Sequence, residues 1–167
     1  MIKRVVSLVL VLAAVAVLLT SCSDESSFTH CEITFTLPND FEVRESENFD
    51  LLISNGEATV AVSRVTFSAG FNQGIPETYT AKQFASFFMY NTKTEAEIYT
   101  FDGVPYYSYI DESGTRELFC LATFYRTRYA YIYVLYSTDA SKENEWREKF
   151  LSYATSVSFD YSETQNS

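Results

Sequence analysis

Few side chains in this sequence could carry covalent chemistry. The 167 residues include one histidine, His30, and three cysteines, Cys22, Cys31 and Cys120. A serine nucleophile needs a base beside it. His30 has no Cys, His or Asp partner at ligand or triad spacing and stands in a polar stretch, so it reads as a solvated linker residue. Paired carboxylates occur at Glu95/Glu97, Asp111/Glu112 and Glu143/Glu145. Two carboxyl groups in one cleft can divide acid and base roles. These pairs fall on an outward strand face, in a turn and on a helix surface, where solubility is their simpler role. No glycine-rich phosphate loop, CxxC, HExxH or GxSxG occurs. The sequence therefore predicts no catalytic residue, no metal site and no cofactor.

Cys22 is different because its surroundings are specific. Lys3 and Arg4 are followed by an apolar run from Val5 to Leu19, broken only by Ser7. A charged start, an apolar stretch and small residues before a cut mark a secretory signal. The run is about 15 residues, short of the roughly 20 that span a bilayer. Leu19-Thr20-Ser21-Cys22 resembles the bacterial lipobox, in which signal cleavage precedes a cysteine that takes a diacylglycerol on its sulfur. The resemblance implies cleavage between Ser21 and Cys22, a signal peptide over 1–21, and a lipid-anchored protein on the extracytoplasmic face of a membrane. Two or more acyl chains hold where one would not. Residues 22–30 then form the lipidated terminus and a polar tether. Seven residues, 23–29, extend at most about 25 Å.

The overall charge is −10, from 12 Lys+Arg against 22 Asp+Glu. Loss of residues 1–21 removes Lys3 and Arg4 and no carboxylate, leaving 10 basic and 22 acidic side chains, net −12. Phosphate recognition needs Lys and Arg in excess, so a nucleic-acid partner is excluded. An acidic domain is also repelled by an anionic leaflet and should stand off it. Cys31 and Cys120 remain as an even pair in a compartment where disulfides persist. Both sit on apolar strand faces, so a disulfide and two buried thiols are both open readings.

Apolar residues make up 47% and aromatics 17% of the chain, including 13 Tyr and 14 Phe, enough for one globular core. Alternation of Ile33, Phe35 and Leu37 predicts a half-buried strand over 32–37. Residues 41–47 read as irregular. Asn55-Gly56 predicts a hairpin joining strands 49–54 and 57–67. A long loop follows over 68–78. Thr80 and Gln83 form a capping box opening a helix over 81–91. Further strands are expected over 95–101, 104–110, 116–127 and 129–137. In the last of these, Ala130, Ile132 and Val134 share one face, and Tyr129, Tyr131 and Tyr133 the other. Trp146, Phe150, Tyr153, Ala154 and Val157 make an apolar helical stripe, predicting a helix over 141–156. A short strand over 158–161 and a polar tail over 162–167 complete the chain.

This order predicts an α+β fold: a central antiparallel sheet of about seven strands flanked by two main helices. The segments ITFTLPNDFE, LLISNGEATVAVSRV and YTFDGVPYYSYI, with the Thr-capped helix and closing amphipathic helix, resemble the Mog1/PsbP-like superfamily, including its lipid-anchored DcrB and LpqN-type members. The resemblance spans Ile33 to Asp160, within a domain placed at 31–161. It implies an α/β/α sandwich that binds proteins rather than catalysing a reaction. No functional residue carries over, because no active-site pattern is shared. Tyrosine joins an apolar face to a polar tip and suits interfaces. Tyr106, Tyr107, Tyr131, Tyr133 and Phe71 in the long loop are therefore the candidate binding surface for an envelope or secreted protein. The alternatives are a carrier of a small apolar ligand, with its pocket between the first helix and the sheet, and, less favoured, an enzyme.

Overall fold

In a computed structural model, described for residues 25–30 and 32–159, two antiparallel sheets and three α-helices form layers. The strands are β1 Glu25–His30, β2 Ile33–Pro38, β3 Glu42–Arg44, β4 Leu51–Ser54 and β5 Ala58–Thr66. They continue as β6 Tyr99–Phe101, β7 Val104–Asp111, β8 Leu118–Arg126, β9 Ala130–Asp139 and β10 Ser158–Phe159. The helices are α1 Phe67–Asn72, α2 Ala81–Thr92 and α3 Glu143–Thr155. Seven strands pair in the order β3-β4-β5-β9-β8-β7-β6, and β1-β2-β10 form a second, smaller sheet. The expected seven-stranded antiparallel sheet is present. The strand at 33–38 lies outside it, in the small sheet.

Alternation sorts the central strands onto two faces. Phe119, Leu121 and Tyr125 of β8 join Ile132, Val134 and Tyr136 of β9 on one side. There α3 contributes Trp146, Phe150 and Ala154, and β2 contributes Ile33, Phe35 and Leu37. Ala122, Phe124 and Tyr131 point to the other side, against Phe84 and Ala85 of α2. The alternation expected for β9 is therefore the observed one, and both faces are covered.

Local chemistry fixes the ends of the elements. Thr80 Oγ1 accepts from the Gln83 N–H at 3.2 Å while Gln83 Oε1 accepts from the Thr80 N–H at 2.9 Å, the predicted capping box. Asn55 Oδ1 accepts from the Glu57 and Ala58 N–H groups, and Gly56 takes φ +89°, which closes the β4–β5 hairpin. Asp102 and Gly103, at φ +46° and +83°, make a two-residue turn between Phe101 and Val104. Thr127 ties the β8–β9 turn, its hydroxyl accepting from the Tyr129 and Ala130 N–H groups.

Five expectations are corrected. Residues 25–30, read as tether, form β1 and pair along all of β2, from Glu25 opposite Pro38 to His30 opposite Ile33. Phe28 stacks on Phe35 with ring centroids 6.0 Å apart, which is the apolar contact that holds this polar strand down. His30 is consequently half-buried in a strand rather than solvated, with its Nε2 shielded from solvent. Residues 42–44 pair with β4 instead of staying irregular. The long loop contains α1, capped by Thr66, whose side chain accepts from the Ala69 N–H. The strand expected over 95–101 is confined to Tyr99–Phe101.

Cys120 is a buried free thiol on the α2 side of the sheet, whereas Ile33 packs on the opposite side. Cys31, its possible disulfide partner, lies outside the described residues, as do Cys22 and the terminal residues 160–167. Burial pushes the Cys120 thiol up to about 11, and burial also raises Tyr107, Tyr109, Tyr125 and Tyr136 above the ordinary tyrosine range.

Trp146 is buried between Phe41 and Phe150, with the Lys149 ammonium 4.4 Å from its ring centroid. Trp146→Ala should cost about 3–5 kcal/mol in denaturant unfolding; a loss below about 1 kcal/mol would show that α3 is not docked on the sheet. The raised groups hold their protons more tightly folded than unfolded. Their stabilisation is therefore complete below the ordinary thiol value of 9.0 and falls as pH climbs toward 11 and beyond. Alkaline titration followed by tyrosinate absorbance should show the buried rings of Tyr107, Tyr109, Tyr125 and Tyr136 ionising in one cooperative step that coincides with loss of circular dichroism.

Candidate functional site

Pro105 lines a concavity at one end of the large sheet. Proline has no N–H to give a ladder. The β7–β8 register begins at Tyr106 opposite Thr123, so Phe124, Tyr125 and Arg126 run on without a partner in β7. The β6–β7 turn and the end of β8 diverge there, opening a groove of about 630 Å³. Asp102 and Pro105 form one wall, Tyr125 and Arg126 a second, and Val157 and Phe159 the third.

The groove is apolar at its base and charged at its rim. Tyr125 lies at the base, its hydroxyl donating to the Ala154 carbonyl at 3.0 Å and accepting from Thr123 Oγ1 at 3.1 Å. Its ring meets Phe159 edge-on with centroids 6.2 Å apart. Arg126 is exposed; its guanidinium donates to the Glu77 carbonyl at 3.2 Å and lies 5.2 Å from the Phe67 ring centroid. Asp102 stands across the groove on the turn. Such a site can hold an extended or amphipathic segment against an apolar floor. Its rim charges offer orientation, not acid–base chemistry.

The same end of the sheet displays large rings to solvent. The Phe67 N–H donates to the Tyr129 carbonyl at 3.2 Å, which brings the start of α1 against the β8–β9 turn. Phe71, one helical turn further on, is 77% exposed and Tyr129 is 55% exposed. The Arg128 guanidinium lies 5.4 Å from the Tyr129 ring centroid. Neither Arg126 nor Arg128 forms an ion pair among the described residues.

The candidate surface read from the sequence divides. Phe71 is at the surface. Tyr106 and Tyr133 are half-buried, packed against the two cores. Tyr107 and Tyr131 are buried and leave the surface altogether. Tyr131 stacks on Phe84 at 4.6 Å, and its hydroxyl lies 2.8–3.0 Å from the carbonyl oxygens of Pro76, Glu77 and Tyr79. Those carbonyls satisfy the phenol inside the protein, so burial leaves no polar group stranded. The interface of α2 with the sheet, where the alternative carrier reading would place its pocket, is filled by Phe84, Phe88, Phe124, Tyr131 and Tyr133 in ring contact.

The sequence reading does not single out Arg126 and Arg128, and it places Tyr129 only on a face of the last long strand. A tight turn between two long strands, carrying two arginines and an aromatic, is the signal that marks them. The paired carboxylates stay apart from the groove. Glu97 accepts from the Tyr99 hydroxyl at 2.9 Å, Asp111 from the Ser113 N–H, and Glu145 pairs with Lys149 along α3. Among the described residues, no three His, Cys, Asp or Glu side chains gather to hold a metal ion, and no helix is long and apolar enough to cross a membrane.

No protein-family model matches the sequence, and no curated protein matches it. Solved structures do match. The solution structure of cyanobacterial PsbP (CyanoP) from Synechocystis sp. PCC 6803 aligns at TM-score 0.54 and 14% identity, over 84% of this chain and 95% of that one. A crystal structure from Bacteroides thetaiotaomicron aligns at TM-score 0.58 and 9% identity, over 83% of this chain and 50% of the other, so this chain spans half its length. At these identities the likeness concerns architecture, and with the seven-stranded antiparallel sheet between helices it gives the chain the α+β Mog1/PsbP-like fold.

Proposed function

We propose that this chain is a membrane-tethered, extracytoplasmic, non-catalytic binding module that docks an envelope or secreted protein at the groove end of its sheet. The observation that carries the reading is the combination at that end: an open groove with an apolar base, the exposed rings of Phe71 and Tyr129, and the guanidiniums of Arg126 and Arg128, which form no ion pair among the described residues. Aromatic side chains and arginine are the residue types that most often anchor protein interfaces. A monomer gains no stability from holding such rings in water, so an occupied state gives them a role.

The tether rests on the sequence. Leu19-Thr20-Ser21-Cys22 follows a charged start and an apolar run, which supports acylation of Cys22 and attachment to the bilayer. The acidic character of the domain supports a protein partner over nucleic acid.

Cys22→Ala should move the protein from the membrane fraction to the soluble fraction of the cell; unchanged sedimentation with membranes would remove the lipid anchor from the proposal. A photo-crosslinking residue placed at Phe71 or Tyr129 should give a discrete adduct in intact cells. The same residue at Val43, equally open to solvent at 60% exposure but far from the groove, should not. Identical adduct patterns from all three positions would dismiss the groove end as the docking surface.

A further inference from the structure

The two edges of the seven-stranded sheet are protected very differently. An edge strand leaves a row of backbone N–H and C=O groups unpaired, and proteins usually blunt it with charge. At one edge β3 carries Glu42 and Arg44, which pair with each other at 3.1 Å, and Glu45 and Glu47 follow. At the other edge β6 reads Tyr99-Thr100-Phe101, with no charge in the strand.

The ladder sets which groups of β6 face outward. Phe101 and Val104 flank the two-residue turn and form a hydrogen-bonded pair. Pairs alternate, so Thr100, opposite Pro105, is non-hydrogen-bonded, and its N–H and C=O point away from β7. Pro105, which has no N–H, occupies the position where β7 gives nothing to β6. Thr100 therefore presents both backbone groups at the open edge. Tyr99 and Phe101, 51% and 40% exposed, lie on one face of it, with Tyr99 5.8 Å from Tyr106.

We propose that the β6 edge is a strand-addition site for an extended, basic segment of a partner protein. Backbone pairing at Thr100 supplies the attachment. The shelf of Tyr99, Phe101 and Tyr106 receives the alternate apolar side chains of the incoming strand. Charge selects the partner. From Glu95 to Asp102 the chain holds three carboxylates, Glu95, Glu97 and Asp102, and no cation. Arg147, the cation of α3 that reaches toward this shelf through Ser108, is already paired with Glu143. A second copy of the same edge would place these carboxylates against their own kind, so the occupant is a different chain. The site stands independently of the lipid anchor; it adjoins the groove, with which it shares Asp102 and Pro105.

The test uses the full-length protein in neutral detergent and two capped octapeptides, one alternating lysine with valine and one alternating glutamate with valine. Hydrogen exchange should show the Thr100 N–H unprotected in the free protein and protected once the lysine peptide is added. The glutamate peptide should give no protection. Thr100→Pro, which removes the outward N–H, should weaken lysine-peptide binding by about tenfold or more, and Thr100→Ala, which keeps it, should leave binding within about twofold. A lysine peptide N-methylated on the residues facing β6 should also fail, which covers the case where Thr100→Pro perturbs the hairpin. The proposal is overturned by absence of protection at Thr100, by equal binding of the glutamate or N-methylated peptide, or by a dimer of the protein that Thr100→Pro dissolves.

Discussion

The fold depends on burying β8 and β9 on both faces at once. Residues 119–125 of β8 are shielded throughout, and β9 has apolar or aromatic side chains on each side. A one-residue slip would exchange the two sets. The α3 side is built from Ile132, Val134 and Leu121, with the wider rings of Phe119, Tyr125 and Tyr136 set against Phe150 and Phe159. The α2 side takes Ala122 and Phe124 under Phe84. Both sides hold rings, but Phe119 and Leu121 could not take the place of the small Ala122 under α2, so the register is specified by shape where both faces are apolar.

Tyr131 and Tyr125, one on each face, need acceptors inside the protein, and the chain supplies them from backbone. Tyr131 meets three carbonyls of the segment between α1 and α2, and Tyr125 meets the last turn of α3 through Ala154. Each bond fastens a connection to the sheet that alternation alone would leave loose. The hydroxyls thus do two jobs: they remove the cost of burying a phenol, and they position the segments that border the groove. Packing and site geometry share the same contacts, which is why the groove lies where the last carbonyls of α3 and the start of α2 converge.

Much of this was legible in the sequence where the signal is local. The capping box, the Asn55-Gly56 turn, the stripe from Trp146 to Val157 and the two faces of β9 are all written within a dozen residues. Features decided across long separations were not. β1 is Glu-Ser-Ser-Phe-Thr-His, polar except for Phe28, and becomes a strand because β2 offers it an edge and Phe35 offers it a ring. Tyr107 and Tyr131 read as surface candidates because a phenol tolerates either environment; only the arrival of α2 and the carbonyls beside it decides for burial. Pro105 was visible as a residue, but its effect, freeing the end of β8, requires knowing which strand lies beside it.

The folding of β1 also changes the geometry of the proposed anchor. Seven flexible residues would let an acidic domain drift about 25 Å from a bilayer. With Glu25–His30 fastened to β2, Ser23 and Asp24 alone separate Cys22 from the sheet, a reach of about 7 Å. Glu25, opposite Pro38, is the end of β1 that would lie nearest a lipid on Cys22, and His30, opposite Ile33, is the end beside Phe159 and the groove. An acylated Cys22 would hold the domain by the end of β1 remote from the groove. Electrostatic repulsion from an anionic leaflet would then act on a body with almost no slack and turn it rather than lift it. The groove end would stand at the far end of β1 from such an anchor; the pull of an anionic leaflet on Arg126 and Arg128 would work against that orientation, so in the proposed arrangement the short covalent link, not charge, would keep the groove clear of the surface.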